Sequence, residues 1–383
     1  MNAKRKAIQL ICRNSLLRLS SSQGRGQGQG QCQGARRALR TNNNGCRGQD
    51  VVTVRAFSSS QSSSSTSTST SNNSNATTTS VSSEEVSKFS SMASTWWKVE
   101  HNPLISMNPI RMSFITQQIA DHIQSNNSSN NIGEGVGEGN ISYSSSGHGK
   151  GSRPYQPLKG LKALDVGCGG GLLSESLARL GADVTAIDPS VEVAKAAQIH
   201  SQSQDDCVNV QNINYRGGIS VEDLGREYSD NSSSGNENLF DIVCVLEVIE
   251  HASDPNSLMQ AASSLLKKPT TSKSINAENT SASAASLSQN AGGMLFVSTI
   301  NRTAKSYGIA ILGGEYITGK LPIGTHSWNK FLSPQEVEGL VGEFGIKEVE
   351  RKGMILQPPF YDLRWYLDGS DYDVNWIGSY AYP

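Results

Sequence analysis

Two carboxylates and an imidazole follow a mostly apolar run in the second half of the chain. The run at 240–246 reads as a buried strand, and Glu247, Glu250 and His251 come directly after it. If a helical turn begins there, the three side chains share one face at i, i+3 and i+4. Such a set could hold a divalent cation, with Mg²⁺ the default for mostly oxygen ligands.

Two other roles fit the same three residues. His251 could act as a general base, with the two glutamates orienting its ring. Alternatively, Glu250 and His251 could simply cap a helix and close the fold. The residue types alone leave all three interpretations open.

A glycine-rich loop is the second feature with chemical meaning. The segment at 164–172 reads LDVGCGGGL, and glycines there permit a sharp turn and a close approach of a ligand to the backbone. A dinucleotide fingerprint needs a glycine where this segment ends in leucine, and a phosphate-binding loop needs Gly-Lys-Ser/Thr, so neither pattern matches. The spacing of Asp165, Gly167, Gly169 and Gly171 resembles motif I of S-adenosylmethionine-dependent methyltransferases.

An acid at the end of the next apolar run supports a nucleoside cofactor. Asp188 lies 21 positions after Gly167 and closes the run at 183–187. A carboxylate at such a strand end can accept hydrogen bonds from both ribose hydroxyls. NAD-binding enzymes use the same device, so Asp188 indicates a nucleoside without selecting which one. A tight strand–helix turn with a helix cap is the plainer interpretation.

Methyl transfer would give the acidic cluster a chemical purpose. The reaction is a direct displacement at a sulfonium methyl group, and the acceptor must present a lone pair. A phenol with a pKa of about 10 is mostly protonated at neutral pH. A bound cation stabilises the phenolate and orients its oxygen. The cluster therefore favours a hydroxyl acceptor, preferably a catechol.

Strands and helices alternate around these motifs. We predict strands at 162–166, 183–187, 208–215, 240–246 and 293–298, and helices at 171–180, 189–202 and 254–267. Two earlier helices are predicted, one that starts near Ser83 and one at 108–123 with Pro109 in its first turn. Apolar strands that alternate with helices predict an α/β fold with a doubly wound, mostly parallel sheet.

Four stretches carry a more specific pattern. They are Trp96-Trp97 with MNPIR at 107–111, the glycine loop, the acidic cluster, and STINR at 298–302 followed by GTHSWNKF at 324–331. Together they resemble the ubiquinone-biosynthesis O-methyltransferases from about Trp96 to Gly353, apart from polar insertions. The glycine loop is generic to methyltransferases, whereas the stretches before and after it are far more specific.

This resemblance implies a Rossmann-like class I methyltransferase. The implied reaction transfers a methyl group from S-adenosylmethionine to catechol hydroxyls of polyprenylated ubiquinone precursors, at two steps, and releases S-adenosylhomocysteine. The resemblance places the donor on Arg111, Gly167, Gly169, Asp188 and Leu246, and Mg²⁺ on Glu247, Glu250 and His251. The guanidinium of Arg111 could pair with the methionine carboxylate of the donor.

The charge is unevenly distributed along the chain. Eleven of the 33 basic residues but one of the 34 acidic residues lie in the first 56 positions, so the remainder has a formal charge of −11. A leader rich in Arg, Ser and Gln is typical of a mitochondrial transit peptide, and RAFS at 55–58 resembles the matrix-protease cleavage pattern. A basic tail that binds RNA or anionic lipid is the alternative.

The composition then divides the chain into three parts. We expect a transit peptide at 1–57, a low-complexity linker at 58–81 and a methyltransferase domain at 82–383. Polar insertions interrupt that domain at 125–152, 229–237 and 269–291, where surface loops can lengthen at small entropic cost.

A membrane surface is the expected cellular context. No apolar run is long enough to span a bilayer, and a net charge of −1 gives no case for nucleic-acid binding. The segment at 303–323 is apolar and contains Lys305 and Lys320, so it could lie in the bilayer interface or form a lid over the site. The resemblance implies peripheral attachment on the matrix side of the mitochondrial inner membrane, within a multi-subunit ubiquinone-biosynthesis complex.

Two other functions stay open at this point. Because this superfamily shares its cofactor-binding half and varies the rest, a small-molecule methyltransferase with a different acceptor is the runner-up. The third hypothesis is a non-catalytic binding subunit that keeps the methyltransferase fold as a scaffold. The complete charged site argues against it, because a scaffold does not need one. The stretch at 357–383, rich in Tyr and Trp, matches no part of the family pattern and could cover the acceptor pocket.

Overall fold

The computed structural model describes most of the expected methyltransferase domain. The described residues are 79–98, 102–129, 155–204, 207–230, 235–270, 292–311, 324, 327–358 and 363–383. The predicted transit peptide at 1–57 lies outside them. So do nearly all of the predicted linker and most of the insertions predicted at 125–152 and 269–291.

Parallel strands form the half of the sheet that carries the site. They are β1 (Lys162–Val166), β2 (Asp183–Asp188), β3 (Asn214–Gly217), β4 (Ile242–Leu246) and β5 (Met294–Ile300). β4 and β5 are buried at every position, as expected for parallel strands covered on both faces. The order β3-β2-β1-β4-β5 reverses direction beside β1, and open sheets bind ligands at the carboxyl ends of the strands at such a point. The predicted doubly wound α/β fold is confirmed.

Antiparallel strands extend this sheet. They are β6 (Lys347–Gln357), β7 (Arg364–Asp368) and β8 (Asn375–Ala381), and they continue from β5 in the order β8-β6-β7. β8 inserts between β5 and β6 and pairs antiparallel with both. Its Trp376 and Tyr380 are fully buried, so the Tyr- and Trp-rich C-terminus belongs to the sheet and its core.

Helices pack on both faces of the sheet. They are α1 (Ser83–Met92), α2 (Leu104–Ser129), α3 (Leu172–Arg179), α4 (Val191–Gln202), α5 (Val208–Gln211), α6 (Val221–Asp230), α7 (Pro255–Ser264), α8 (Ala304–Ser306) and α9 (Pro334–Gly342). One apolar cluster includes Phe114 of α2 and Leu177 of α3, and the other includes Leu258 of α7 and Val341 of α9. Within the described ranges, none of the helices is long and apolar enough to cross a bilayer.

Two predicted boundaries are wrong. The strand predicted at 208–215 is the short helix α5 followed by β3, because the apolar run there is too short to distinguish a strand from a buried helical turn. The helix predicted from 108 begins at Leu104, whose backbone N–H donates to Oδ1 of Asn102 at 3.0 Å. Pro109 consequently lies inside α2 rather than in its first turn.

A glycine in β6 provides a test of the antiparallel extension. A Cβ at Gly353 would overlap the backbone carbonyl oxygen of Asp371, whereas one at Gly339, inside α9, would meet nothing within 4 Å. We expect Gly353→Ala to lower the free energy of unfolding by about 1–3 kcal/mol. The control Gly339→Ala should be neutral or stabilising by up to about 1 kcal/mol. Urea denaturation followed by circular dichroism measures both, and equal effects would contradict the placement of Gly353.

Candidate active site

One cavity brings the predicted site residues together. It has a volume of about 930 Å³ and lies at the carboxyl ends of β1, β2, β4 and β5. Its lining includes all eight residues that were assigned to the methyl donor or to Mg²⁺, namely Arg111, Gly167, Gly169, Asp188, Leu246, Glu247, Glu250 and His251. Small-molecule pockets usually span about 300–1,000 Å³, so this cavity lies at the upper end of that range.

The glycine loop forms one wall because its backbone is left-handed at alternate positions. The φ angles of Gly167, Gly169 and Gly171 are 66°, 54° and 84°, a region that side-chain-bearing residues rarely adopt. A Cβ at Gly169 would overlap the indole of Trp96, and one at Gly167 would meet the side chain of Val248. The loop therefore fits between two apolar side chains only without Cβ atoms at these positions.

Asp188 is bound to the loop by backbone hydrogen bonds. Its Oδ2 accepts from the N–H of Gly169 at 3.0 Å and its Oδ1 from the N–H of Ser190 at 2.8 Å. Burial raises the pKa of Asp188, and these two hydrogen bonds oppose the rise. Each carboxylate oxygen accepts more than one hydrogen bond, so the group can hold the loop and still accept from a ribose hydroxyl.

Asp165 is a second buried carboxyl group beneath the same loop. Ser174 of α3 donates its hydroxyl to Oδ2 of Asp165 at 2.5 Å. Burial, reinforced by the nearby charge of Asp188, raises the pKa of Asp165 to about 7. From the sequence, Asp165 contributes only to the spacing of the glycine loop, and its burial could not be predicted from that spacing.

Arg111 of α2 supplies a buried cation with unused donors. It is 3 % exposed, and its Nη2 lies 3.0 Å from Oε1 of Glu247. Nevertheless, neither its Nε nor its Nη2 donates a hydrogen bond to any of the described residues. A buried guanidinium with unsatisfied N–H groups fits the carboxylate of a ligand, since bidentate pairing uses these donors.

The turn after β4 holds the two glutamates in different environments. Glu247 has a φ of 56°, a strained conformation for a side-chain-bearing residue, and its Oε1 accepts from the hydroxyl of Ser298 at 2.7 Å. Glu250 is 3 % exposed, and its Oε2 accepts from the hydroxyl of Thr299 at 2.8 Å. Burial and the charge of Glu247 raise the pKa of Glu250 to about 7.

His251 contacts the N-terminal helix instead. Its Nδ1 lies 3.1 Å from Oε2 of Glu85, and its ring packs edge-on against Phe89 with centroids 4.9 Å apart. The hydrogen bond with His251 lowers the pKa of Glu85 to about 2. Sequence reasoning missed Glu85 and Phe89 as cavity residues; the only available signal was the helical pattern of α1.

The three predicted metal ligands do not form a ligand set in this arrangement. The short 3-10 helix of the turn begins at Ile249, so Glu247 precedes it and the three side chains do not share a helical face. Glu247 contacts Arg111, and His251 contacts Glu85. In the part of the chain that the structure describes, no group of three or more His, Cys, Asp or Glu side chains is placed to hold a metal ion.

Tandem tryptophans join the N-terminal segment to the glycine loop. Trp96 covers Gly169, and Trp97 donates its indole N–H to the carbonyl of Gly170 at 3.0 Å. Trp97 also stacks on His200 of α4 with centroids 3.7 Å apart. The pair is part of the family resemblance, and its contacts show that it also holds the loop in place.

Two predicted stretches are described only in part. The apolar segment at 303–323 is described as far as 311, and it contributes Lys305 and Ile309 to the cavity lining. Thr325 and His326 of the 324–331 stretch lie outside the described residues.

The electrostatics of the lining favour a cationic ligand. Six carboxyl groups face three basic side chains around the cavity: Glu85, Asp165, Asp188, Glu247, Glu250 and Asp371 against Arg111, His251 and Lys305. The basic side chains Arg111, His251 and Lys305 pair with Glu247, Glu85 and Asp371, respectively. Burial raises the pKa of each of the other three carboxyl groups, and a positively charged ligand would favour their ionised forms. A nucleoside whose reactive centre is a sulfonium suits this cavity.

Known proteins are similar in sequence to most of this chain. Residues 151–272 match a family model described as a methyltransferase domain. The chain is 32 % identical over 306 residues to the ubiquinone biosynthesis O-methyltransferase of Cereibacter sphaeroides. The aligned region covers 79 % of this chain and 98 % of that protein. This chain belongs to the ubiquinone biosynthesis O-methyltransferase family.

A second curated relative agrees with that assignment. The Azorhizobium caulinodans ubiquinone biosynthesis O-methyltransferase is 33 % identical over 304 residues, covering 78 % of this chain and 92 % of that protein. Among solved structures, magnesium protoporphyrin IX methyltransferase from Synechocystis with bound S-adenosylhomocysteine is 17 % identical at a TM-score of 0.37. It covers 72 % of this chain and 85 % of that one. The predicted family and enzyme class are confirmed: the chain is an S-adenosylmethionine-dependent O-methyltransferase.

The raised pKa of Asp165 predicts a pH dependence of stability. Between pH 3.8 and about 7 the carboxyl group is protonated in the folded protein and ionised in the unfolded chain. Stability from this group is therefore complete below its unfolded pKa and is lost as pH rises, at up to about 1.4 kcal/mol per pH unit. We expect Asp165→Asn to make the slope shallower by this contribution, with the raised pKa values of Glu250 and Asp188 accounting for a remaining slope of the same sign. Urea denaturation at several pH values without ligand measures it, and parallel curves for the two proteins would contradict the burial argument.

Proposed function

We propose that this protein methylates catechol hydroxyls of polyprenylated ubiquinone precursors, at two steps of the pathway. The observation that carries the proposal is that donor-binding elements and the acidic turn after β4 line one cavity, together with apolar side chains. An acceptor with a polar ring and an apolar tail matches such a lining, whereas a fully polar acceptor would leave the apolar part without a partner.

The donor-binding half of the cavity has a role for each charged group. Bound S-adenosylmethionine supplies an electrophilic methyl group on a sulfonium. Arg111 would pair with its carboxylate through the unused N–H groups, and Asp188 would accept from its ribose hydroxyls. The glycine loop permits close approach because it presents no side chains from Gly167 or Gly169.

The acceptor hydroxyl must lose a proton during the reaction. In the arrangement without a bound cation, that step falls to the turn after β4, where burial and the charge of Glu247 raise the pKa of Glu250 to about 7. A group of this pKa is well matched to general base catalysis under physiological conditions. The contact between His251 and Glu85 fixes the imidazole beside the same turn.

Methyl transfer to a short-tailed prenyl catechol tests this proposal. We expect the full chain to form a mono-O-methylated product, detected by mass spectrometry, with release of S-adenosylhomocysteine. Asp188→Ala should weaken donor binding by about 10–100-fold in calorimetry, because hydrogen bonds to a charged group contribute about 1.5–3 kcal/mol. The control is Asp121→Ala, on the exposed side of α2.

Two outcomes would contradict it. Donor binding without turnover on any catechol would favour a different acceptor or the scaffold reading. Unchanged donor affinity in Asp188→Ala would contradict the placement of the ribose.

We extend the proposal to Mg²⁺ held by Glu247, Glu250 and His251. The types of ligand atom support it, because carboxylate oxygens suit a hard divalent cation. The two carboxylates are also close enough for the charge of Glu247 to raise the pKa of Glu250. The observed arrangement does not fit a bound ion, because Glu247 and His251 contact Arg111 and Glu85 instead. Metal binding therefore requires these contacts to be exchanged, and no step of the transfer is derived through the ion.

Chelation provides the test of the metal. We expect turnover to be lost in EDTA and restored by Mg²⁺, and Glu247→Gln to weaken Mg²⁺ binding by at least tenfold in calorimetry. Glu227→Gln, on the exposed surface beside Arg216, is the matched control. Turnover that is indifferent to EDTA would leave the three residues in a base-and-cap role.

The setting of the enzyme is a further part of the proposal. We infer peripheral attachment on the matrix side of the mitochondrial inner membrane, within a ubiquinone-biosynthesis complex, and no nucleic-acid partner. The basic leader at 1–57 supports import. In the described part of the apolar segment, Tyr307 and Ile309 are 45 % and 52 % exposed, which suits contact with a lipid surface.

A further inference from the structure

The wall of the cavity formed by β6 and β7 differs chemically from the rest. Its described lining residues between 354 and 365 are all apolar: Met354, Ile355, Leu356, Pro358, Leu363 and Trp365. Five of the six lining carboxyl groups come instead from α1 and from the ends of β1, β2 and β4 or the turn after β4, and the sixth, Asp371 between β7 and β8, is paired with Lys305 at 2.7 Å. The cavity thus has a charged half and an apolar half.

Strand register explains how the apolar wall forms. Met354 pairs with Leu367, and Leu356 pairs with Trp365, in the antiparallel β6–β7 ladder. Residues directly opposite each other, and those two positions along a strand, share one face of the sheet. The four side chains therefore form one apolar surface.

A hydrogen bond ties this surface to α2. Trp365 donates its indole N–H to the hydroxyl of Ser106 at 3.0 Å, and Leu104 and Met107 of the same helix also line the cavity. The indole is thus held in place by its polar end, while its apolar body remains half-buried at the cavity.

We propose that the surface formed by Leu104, Met107, Met354, Leu356 and Trp365 binds the isoprenoid tail of the acceptor. The proposal rests on the proposed function, because the tail belongs to the acceptor named there. Leu356 and Trp365 are half-buried and lie in the same cavity as the acidic turn. A tail that covers them removes apolar surface from water, which is favourable at about 25 cal/mol per Å².

Equilibrium binding tests the tail surface independently of turnover. The probes are 3,4-dihydroxybenzoate and the same ring with a ten-carbon geranyl group, measured by calorimetry on the full chain. For the unsubstituted protein we expect the geranyl group to tighten binding. Leu356→Gln should reduce this advantage, the ratio of the two dissociation constants, by about tenfold.

Tyr366→Gln is the matched control, since Tyr366 neighbours Trp365 on β7 but is 44 % exposed and absent from the cavity lining. It should leave the ratio unchanged, and circular dichroism checks that both variants fold. An unchanged ratio in Leu356→Gln, or an equal loss in Tyr366→Gln, would overturn the proposal. Tail-dependent binding without methyl transfer would instead contradict the proposed function and leave the tail surface standing.

Discussion

The cavity concentrates carboxyl groups where little water reaches them, and the surrounding contacts follow from that constraint. Asp165, Asp188 and Glu250 are each nearly inaccessible, and burial raises the pKa of each. Each is held by donors placed for it: a serine hydroxyl, two backbone N–H groups and a threonine hydroxyl, respectively. Buried polar groups without such donors would cost several kcal/mol. Among the described lining residues, Arg111 is the deeply buried cation, so a positively charged ligand would relieve repulsion that the protein alone leaves in place.

Closure of the cavity depends on contacts distant in sequence. The glycine loop is covered by Trp96, fixed at Gly170 by Trp97, and tied to β2 through Asp188. The turn after β4 is joined to α1 by the contact between His251 and Glu85. The segment at 83–97 thus contacts both the donor-binding loop and the acidic turn. A substitution in α1 would affect both places, because His251 contacts Glu85 of α1 and the ring of Trp96, which covers the loop, contacts Phe89 of α1.

Local patterns predicted much of this architecture. The strand at 162–166 has the predicted bounds, and the loop with Asp188 lies at the predicted sheet edge, because apolar runs and glycine spacing are read from neighbouring residues. Nonlocal features could not be predicted in this way. The antiparallel pairing of β8 between β5 and β6 is one of them.

The same distinction applies within the site. Seven of its eight predicted residues end or follow predicted strands and could be assigned to one sheet edge from the sequence, and Arg111 was assigned through the family resemblance. The partners of these residues could not be predicted. The left-handed φ of Glu247 directs it away from the expected helical face, and its contact with Arg111 joins positions 136 residues apart. Such pairings depend on tertiary packing, which does not produce a periodic pattern in the sequence.

The division of the cavity also explains how one fold supports a selective reaction. The methyltransferase family model ends at residue 272, whereas the apolar wall comes from β6 and β7 beyond it. Elements that bind the donor can thus be shared among many enzymes while the acceptor wall varies. In this chain the acidic turn with Glu247 and Glu250 and the apolar wall formed by β6 and β7 line the same cavity. Under the proposed function, the polar ring would lie beside the acidic turn and the apolar tail against the wall formed by β6 and β7, so the two walls together would select for a tailed acceptor.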